Sequence, residues 1–234
     1  MRLLLLSTST VFGGNYLDYA ATEISDFFGD TRRLLFVPFA LHDQNAYAER
    51  VRKSFGTMGY AIDSLHDAAD AIAAVNAAEA IFIGGGNTFR LLNWLYELNL
   101  LGPIRDRVMA GMLYLGSSAG SNVAGPTIKT TNDMPIIQPP SFDSLGLVSF
   151  QINPHYLDPD PASTHMGETR EERIRQFLEE NDTPVIGLRE GAVLRIEEGS
   201  ILLKGSAGAK LFRRNLPALE LQPGLVDELA QYNK

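Results

Sequence analysis

The stretch MLYLGSSAGSNVAG, residues 112–125, runs from an apolar segment into a cluster of small residues around two serines. Ser118 fits the pattern G-x-S-x-G, with Gly116 and Gly120 as its glycines. This pattern is typical of a strand-turn-helix elbow, in which the glycines remove side chains that would clash with a strained backbone. Such an elbow exposes the serine oxygen and lets the backbone N–H of Ala119 donate to an oxyanion. A plain Gly/Ser loop is the alternative, and the apolar strand before it and the SNVAG segment after it favour the elbow.

Apolar and amphipathic segments alternate along the chain. The apolar runs predict buried strands at 2–7, 32–39, 80–85, 112–117, 148–153 and 184–188. Amphipathic patterns predict a helix in 15–29, with Gly29 as its C-cap, and another in 87–98, with Phe89, Leu92 and Tyr96 on its apolar face. Continuous apolar strands that alternate with helices indicate an α/β fold, a mostly parallel sheet with helices on both faces.

The end of the chain has a different pattern. After residue 190, short strands joined by glycine-containing turns predict antiparallel strands, and residues 223–232 are predicted to form a closing helix. The segment 126–147 is the longest irregular region, and irregular regions of that length in compact domains are often functional. No linker or repeat interrupts the sequence, so residues 1–234 are predicted to form a single domain.

Composition excludes several classes of protein. The formal net charge of −8 argues against a nucleic-acid partner, because phosphate binding needs clustered Lys and Arg. The absence of cysteine removes disulfides, thiol catalysis and cysteine-based metal sites. No apolar run is long enough to span a membrane, and the leucines at 3–6 are too few for the core of a signal peptide. We therefore expect a cytoplasmic protein that does not bind membranes.

The predicted strands place reactive groups together. In open α/β sheets, ligands bind beyond the carboxyl ends of the strands. The glycine run 84–86, Ser118, His155 and Glu190 each follow one of the predicted strands. A glycine-rich backbone, a hydroxyl, an imidazole and a carboxylate at one edge are the parts of a hydrolase. The chain order Ser, His, Glu differs from the Ser, acid, His order of the α/β-hydrolases.

Each of these groups has an alternative interpretation. A dinucleotide loop would need glycine where Phe89 stands, and a Walker A loop would need Gly-Lys-Ser/Thr. The N–H of Gly86 suits a second oxyanion donor, although a glycine run also allows a helix to pack closely on a strand. Asp158 and Asp160 are alternative acids, but they lie in a proline-rich segment. The remaining histidines, at 42, 66 and 165, form no HExxH motif, so no metal site is expected.

The sequence closely resembles the peptidase E family of α-aspartyl dipeptidases, serine peptidases with a fold like that of class I glutamine amidotransferases. The resemblance covers almost the whole length and is carried, in the family's order, by LLLLSTST, FVPFA, GGGNTF, GSSAGSN, TTNDMPI, QINPH, GETREERI and GLREG. It implies cofactor-free cleavage of Asp-Xaa dipeptides by Ser118, His155 and Glu190, with the oxyanion hole at Gly86 and Ala119.

The resemblance leaves two alternatives and one departure. Cyanophycinase, a related enzyme that cuts β-aspartyl-arginine links, would use the same triad, and a flavodoxin-like binding module would use the glycine loop for a phosphate. The family often has tryptophan before the nucleophile, where this chain has Ser117. We therefore expect one wall of the pocket to be reshaped.

Three residues are predicted to bind the substrate: Asp133, Arg170 and Asn87. A carboxylate at Asp133, in TTNDMP, would face the substrate ammonium, and a turn-forming Asn-Asp pair is the alternative. Thr169 and Glu172 predict a capping box that makes Arg170 the first residue of a helix. Arg170 then lies on the inward stripe of that helix, where an anion such as the substrate's aspartyl carboxylate would join it. The alternatives are a pair with a nearby glutamate such as that at 168, or a side chain turned outward.

Overall fold

The computed structural model describes residues 1–164, 166–230 and 232 of the chain. The strands are β1 (Arg2–Leu6), β2 (Arg33–Val37), β3 (Ala61–Ser64), β4 (Ala80–Ile83), β5 (Leu113–Ser117), β6 (Gln151–Tyr156), β7 (Val185–Arg189), β8 (Val193–Glu197), β9 (Ser200–Lys204), β10 (Ala209–Phe212), β11 (Leu219–Leu221) and β12 (Gly224–Leu225). The α-helices are α1 (Ala21–Phe28), α2 (Gln44–Thr57), α3 (Ala71–Ala77), α4 (Thr88–Glu97), α5 (Leu101–Met109), α6 (Ala119–Asn122), α7 (Arg170–Glu180) and α8 (Asp227–Ala230). Short 3₁₀ turns span Asp18–Ala20 and Leu65–Asp67.

The strands form two sheets. The larger has eight strands in the order β12-β9-β8-β1-β5-β4-β2-β3. The five strands β1, β5, β4, β2 and β3 run parallel to one another. The other three, β8, β9 and β12, extend the sheet with antiparallel pairing. The smaller has four strands in the order β11-β10-β7-β6, with β6 and β7 parallel. The predicted α/β fold with a mostly parallel sheet and antiparallel C-terminal strands is confirmed. The division into two sheets was not predicted.

The leucines of β1 decide how the layers pack. Alternate residues of a strand point to opposite faces of its sheet. Leu3 and Leu5 accordingly join a core with α3, α4 and α5, while Leu4 and Leu6 join a second core with α1 and α2. All four side chains are fully buried. Helices therefore cover both faces of the larger sheet, as predicted.

The smaller sheet is also buried on both faces. Ile186 and Leu188 of β7 belong to the same core as α3, α4 and α5, and Val185 packs with Ile174 and Leu178 of α7. Apolar residues on one stripe of α7 thus cover the outer face of this sheet. Ile186 and Leu188 therefore join the smaller sheet to the core of the larger one.

Three predicted elements differ from the structure. The first helix begins at Ala21 because Leu17, with φ 62°, breaks the helical backbone before it. Val148 and Phe150 are buried, but residues 148–150 pair with no strand, since the chain there packs on the turn after α6, and β6 begins only at Gln151. Gly224–Leu225 pairs with β9 as a strand, and the closing helix is confined to Asp227–Ala230, with residue 231 outside the described residues.

No helix in the described parts of the chain combines the length and the apolar character that crossing a membrane requires.

The turn after β5 is packed against β4 with no room for a side chain. A Cβ added at Gly120 would lie 2.0 Å from the carbonyl oxygen of Ile83, and one at Gly116 would lie 2.6 Å from the carbonyl oxygen of Gly120. Real Cβ atoms do not approach backbone atoms this closely. Both glycines of the G-x-S-x-G pattern are therefore required by packing.

We predict that Gly120→Ala lowers the free energy of unfolding by about 1–3 kcal/mol or more, because the backbone must move to accept the methyl group. Gly56→Ala is the matched control, since Gly56 is helical and a Cβ added to it would have nothing within 4 Å. The control should be neutral or stabilising by up to about 1 kcal/mol. Urea unfolding measures both, and a Gly120→Ala protein as stable as the parent would contradict this packing.

Candidate active site

Ser118 lies at a sharp turn between β5 and α6. Its φ of 52° and ψ of −110° are a conformation that residues with a side chain rarely adopt. A hydrogen bond to the end of β1 stabilises the turn, because the N–H of Ser118 donates to the carbonyl of Leu6 at 3.0 Å. Ser117, by contrast, is 0% exposed and its hydroxyl has no hydrogen-bond partner among the described residues. Ser118 is therefore the accessible serine, and Ser117 does not line the pocket that it was expected to reshape.

The glycine run lies directly against Ser118. A Cβ at Gly85 would be 2.9 Å from the Cβ of Ser118, and a Cβ at Gly84 would be 2.4 Å from the hydroxyl of Tyr47. Gly86 has φ 136°, and a Cβ there would clash with the carbonyl of Ala40 at 2.7 Å. These three positions must be glycine because the backbone here packs closely against Ser118, against Tyr47 and against the loop that follows β2.

His155 joins the serine to a carboxylate. Its Nε2 lies 2.8 Å from Ser118 Oγ, and its Nδ1 lies 2.7 Å from Glu190 Oε1. Because a carboxylate only accepts hydrogen bonds, Nδ1 carries the proton and Nε2 accepts from the serine hydroxyl. The imidazole is 38% exposed and the Glu190 side chain 52% exposed, so both groups border solvent. The arrangement suits proton removal from Ser118.

The backbone at His155 is irregular. The residue was predicted to follow its strand, but it lies within β6, where the pairing with β7 shifts between Asn153 and Tyr156. Its φ is 54°, in the left-handed region. The bulge turns the imidazole towards Ser118, which stands at the end of a strand in the other sheet.

Ser7, which was not predicted as a site residue, connects the two sheets beneath the site. Its buried hydroxyl accepts from the N–H of His155 at 2.9 Å and donates to the carbonyl of Leu188 at 2.7 Å. One hydroxyl therefore fixes the end of β1 to both β6 and β7. The signal was present, because Ser7 directly follows the apolar run of β1, at the same kind of position as Ser118 and Glu190.

Polar side chains of α6 and of the irregular segment 126–147 donate hydrogen bonds to the carbonyls of β6. The Ile152 carbonyl accepts from Asn122 Nδ2 at 2.6 Å and from the hydroxyl of Thr130 at 2.9 Å. The Pro154 carbonyl accepts from Asn132 Nδ2 at 2.7 Å. This segment thus positions the strand that carries His155.

Two backbone N–H groups next to Ser118 are free. Within the described residues, neither Gly86 nor Ala119 donates its N–H to another protein group. Ala119 is the first residue of α6, where an N–H has no partner within the helix. Both lie beside the serine, where an oxyanion would form.

Ser118 opens into a cavity of about 380 Å³. Its lining is Ser9, Tyr16, Leu41, Tyr47, Arg50, Gly85, Gly86, Ser118, Asp133 and His155. Burial raises the pKa of Tyr16 and of Tyr47, so both phenols stay neutral at working pH. A larger cavity of about 630 Å³ lies at the first residues of β2 and β4, but its two arginines, Arg33 and Arg52, are already paired with acidic side chains.

The predicted substrate-binding residues differ in their placement. Asp133 lines the Ser118 cavity, and its Oδ2 accepts from the N–H and the hydroxyl of Thr88 at 2.8 and 2.6 Å. Asn87 caps α4 by accepting from the N–H of Arg90, and its Nδ2 donates to the carbonyl of Met134 at 2.8 Å. Asn87 therefore ties the Asp133 loop to the glycine run.

Arg170 is the first residue of α7, after the capping box of Thr169 and Glu172 that the sequence predicts. It lines a neighbouring cavity of about 360 Å³ rather than the Ser118 cavity. Partial burial lowers the pKa of the guanidinium, Arg173 lowers it further, and the nearby charge of Asp133 raises it. Arg170 makes no hydrogen bond or ion pair with another described residue, while Glu168 pairs with Arg173 at 3.6 Å.

The alternative acids lie elsewhere. Asp158 pairs with Arg189 at 2.6 Å and with Lys210 at 3.4 Å, and the hydrogen bonds from Arg189 hold the pKa of Asp158 below its usual value. Asp160 accepts from the N–H of Ala162. Residue 165, one of the histidines without a motif, lies outside the described residues.

Known proteins are similar to this chain in sequence and in fold. Residues 3–204 match the model of Peptidase family S51. A Streptomyces coelicolor protein described as Peptidase E is 52% identical over 224 residues, covering 96% of this chain and 92% of that protein. A Drosophila melanogaster protein described as a probable alpha-aspartyl dipeptidase is 48% identical over 225 residues, covering 95% and 94%. The structure of a putative peptidase E protein from Listeria monocytogenes matches with a TM-score of 0.67 at 21% identity, covering 87% of this chain and 98% of that one.

The chain belongs to peptidase family S51. It is a serine-type dipeptidase, so its substrates are small peptides.

Proposed function

We propose that this dipeptidase hydrolyses Asp-Xaa dipeptides with Ser118 as nucleophile, His155 as general base and Glu190 as the carboxylate that orients the histidine. The observation that carries the proposal is the pair of hydrogen bonds through which His155 bridges Ser118 and Glu190. The description of the Drosophila relative as a probable alpha-aspartyl dipeptidase supports aspartate as the first residue.

The reaction begins when Ser118 Oγ attacks the scissile carbonyl carbon. His155 Nε2 takes the hydroxyl proton, and the imidazolium that forms is stabilised by Glu190 across Nδ1. The carbonyl oxygen gains negative charge and accepts from the free N–H groups of Gly86 and Ala119. The imidazolium then protonates the leaving amine, and the peptide bond breaks to give an acyl-serine.

Water completes the cycle. His155 removes a proton from the water that attacks the acyl-serine, and the same two N–H groups stabilise the second tetrahedral intermediate. Expulsion of Ser118 Oγ, which takes back the proton from His155, releases aspartate. Each step moves a proton to or from His155 Nε2. The imidazole must therefore keep Nε2 directed at Ser118, which its hydrogen bond to Glu190 ensures.

Asp133 is proposed to bind the substrate ammonium. It lines the Ser118 cavity, and the hydrogen bonds that its side chain accepts from Thr88 and Thr131 all reach Oδ2. Oδ1 is thereby left for a cation. Asn87 is proposed to contribute to substrate binding by holding this loop in place, because both ends of its amide bond to backbone.

Arg170 is proposed to bind the aspartyl side chain. The support is an unpaired, half-buried guanidinium at the start of α7, close enough to Asp133 to be affected by its charge. Arginine stays protonated at working pH and offers a planar, two-pronged donor to a carboxylate. The substrate ammonium would thus pair with the carboxylate of Asp133, and the substrate's side-chain carboxylate with the guanidinium of Arg170.

We further propose that residues 1–234 act as a single catalytic domain in the cytoplasm. The first part is supported by a site that draws on both sheets, with Ser118 from one and His155 from the other. Cell fractionation tests the location.

Replacing the nucleophile should abolish turnover without unfolding the protein. Ser118→Ala is expected to reduce kcat/KM for Asp-Leu at least about a thousandfold, because it removes covalent catalysis. Ser117→Ala is the matched control and should keep most of the activity. An inactive Ser117→Ala enzyme beside an active Ser118→Ala enzyme would show that the register of the elbow is wrong.

Blocking the substrate ammonium tests the role of Asp133. N-acetyl-Asp-Leu cannot pair with a carboxylate, so its kcat/KM should be about 10- to 100-fold below that of Asp-Leu, the range for a lost charged hydrogen bond. In the Asp133→Asn enzyme the ratio of kcat/KM for Asp-Leu to kcat/KM for N-acetyl-Asp-Leu should be smaller than in the parent enzyme. Equal rates for the free and the acetylated substrate in the parent enzyme would show that Asp133 makes no such contact.

Removing the Arg170 charge tests the source of aspartate specificity. Arg170→Met should lower kcat/KM for Asp-Leu by about 10- to 100-fold and narrow the gap between Asp-Leu and Asn-Leu. Arg173→Met makes the same charge change one turn along α7 and should keep the preference for aspartate. An Arg170→Met enzyme with its full preference for Asp over Asn would end the assignment.

A further inference from the structure

A second arginine without an ion-pair partner lines the Ser118 cavity, which Arg170 does not. Arg50, on α2, is exposed and lines the same cavity as Ser118. No carboxylate or hydrogen-bond acceptor among the described residues pairs with it. Arg52, on the same helix, differs in this respect because it binds Glu49 and Asp67, both at 2.7 Å.

The Arg50 guanidinium contacts the ring of a tyrosine that packs beside the glycine run. It stands 5.9 Å from the centre of the Tyr47 ring, a cation–π contact with a side chain that is only 2% exposed. The Tyr47 hydroxyl in turn fills the space beside Gly84. The cation therefore lines the cavity over a buried ring that also packs beside the glycine run next to Ser118.

The charges of the substrate leave one group without a partner. An Asp-Xaa dipeptide carries an ammonium, a side-chain carboxylate and a terminal carboxylate. The proposed function assigns the first to Asp133 and the second to Arg170, and the third is unmatched. We propose that Arg50 binds the terminal carboxylate of the dipeptide and so makes the enzyme select dipeptides over longer peptides. This inference rests on the proposed function.

The dimensions of the site fit this assignment. In a dipeptide the terminal carboxyl carbon is three bonds from the scissile carbonyl carbon, no more than about 4 Å away. A partner for it must therefore lie in the cavity that holds Ser118, as Arg50 does. The volume of about 380 Å³ is also near the lower end of the range for small-ligand pockets, about 300–1,000 Å³.

A longer peptide presents different chemistry at the same place. An amide replaces the terminal carboxylate, and it accepts a hydrogen bond without a charge. Arg50 would then give up its contact with a carboxylate, and the rest of the peptide would have to pass beside the guanidinium. Selection against longer substrates follows from the lost charge pair together with the limited space.

The test compares Asp-Leu with Asp-Leu-amide, which differ only at the group that Arg50 is proposed to bind. In the parent enzyme kcat/KM should be about 10- to 100-fold higher for the free acid. Arg50→Met should lower kcat/KM for Asp-Leu by about the same factor, leave the amide nearly unchanged and bring the two rates together. Arg50→Lys should keep part of the preference, because the charge remains.

The control is Lys53→Met, which removes a positive charge from an exposed position on the same helix outside the cavity. It should keep the full preference for the free acid. The inference is overturned if the parent enzyme treats acid and amide alike, or if Arg50→Met keeps the preference. A loss of the Asp-over-Asn preference in Arg50→Met would also overturn it, by assigning Arg50 to the aspartyl side chain.

Failure of the proposed function has a separate signature. A parent enzyme that turns over neither Asp-Leu nor its amide, but cleaves a β-aspartyl dipeptide, would contradict the Asp-Xaa assignment and the Arg50 assignment that depends on it. Thermal unfolding of each variant shows that any loss of rate is not a loss of fold.

Discussion

The site depends on one imidazole that reaches from one sheet to a serine at the end of the other. His155 belongs to β6 of the smaller sheet, and Ser118 follows β5 of the larger one. The 2.8 Å contact between them exists only while the sheets keep their relative position. The buried hydroxyl of Ser7, bonded to the N–H of His155 and the carbonyl of Leu188, is the polar link at that junction.

At this junction, two residues with strained backbone conformations are stabilised by hydrogen bonds from their surroundings. Ser118 and His155 both have positive φ without being glycine, a conformation that costs of order 1–3 kcal/mol for each residue. The surrounding structure holds both. The N–H of Ser118 donates to the carbonyl of Leu6, and the carbonyls of Ile152 and Pro154 in β6 accept from Asn and Thr side chains. The reactive groups are thus oriented before a substrate arrives, which is the arrangement that electrostatic catalysis requires.

Much of this could be predicted from the sequence because it follows from local rules. Apolar runs marked the strands, G-x-S-x-G marked the elbow, and the rule that ligands bind at strand ends brought Ser118, His155 and Glu190 together. The capping box at Thr169 was predicted correctly for the same reason, since a cap depends on neighbours in the sequence.

Other features depend on contacts between distant segments and left no local pattern. An apolar run does not reveal which sheet a strand joins, so the second sheet was missed. Val148 and Phe150 are buried by packing on the turn after α6 rather than by strand pairing, so β6 begins later than the apolar run predicts. Arg50 has the pattern of an ordinary exposed residue of α2, and only the topology brings it to the Ser118 cavity.

The central claim is that Glu190, through His155, activates Ser118. Labelling with a fluorophosphonate, located by mass spectrometry, measures that activation directly, because the reagent reacts with an activated serine and needs no peptide substrate. We expect label on Ser118 alone, a rate at least about a hundredfold lower in Glu190→Gln, and an almost unchanged rate in Asp158→Asn. Label on Ser117, or a Glu190→Gln protein that reacts as fast as the parent, would contradict the claim.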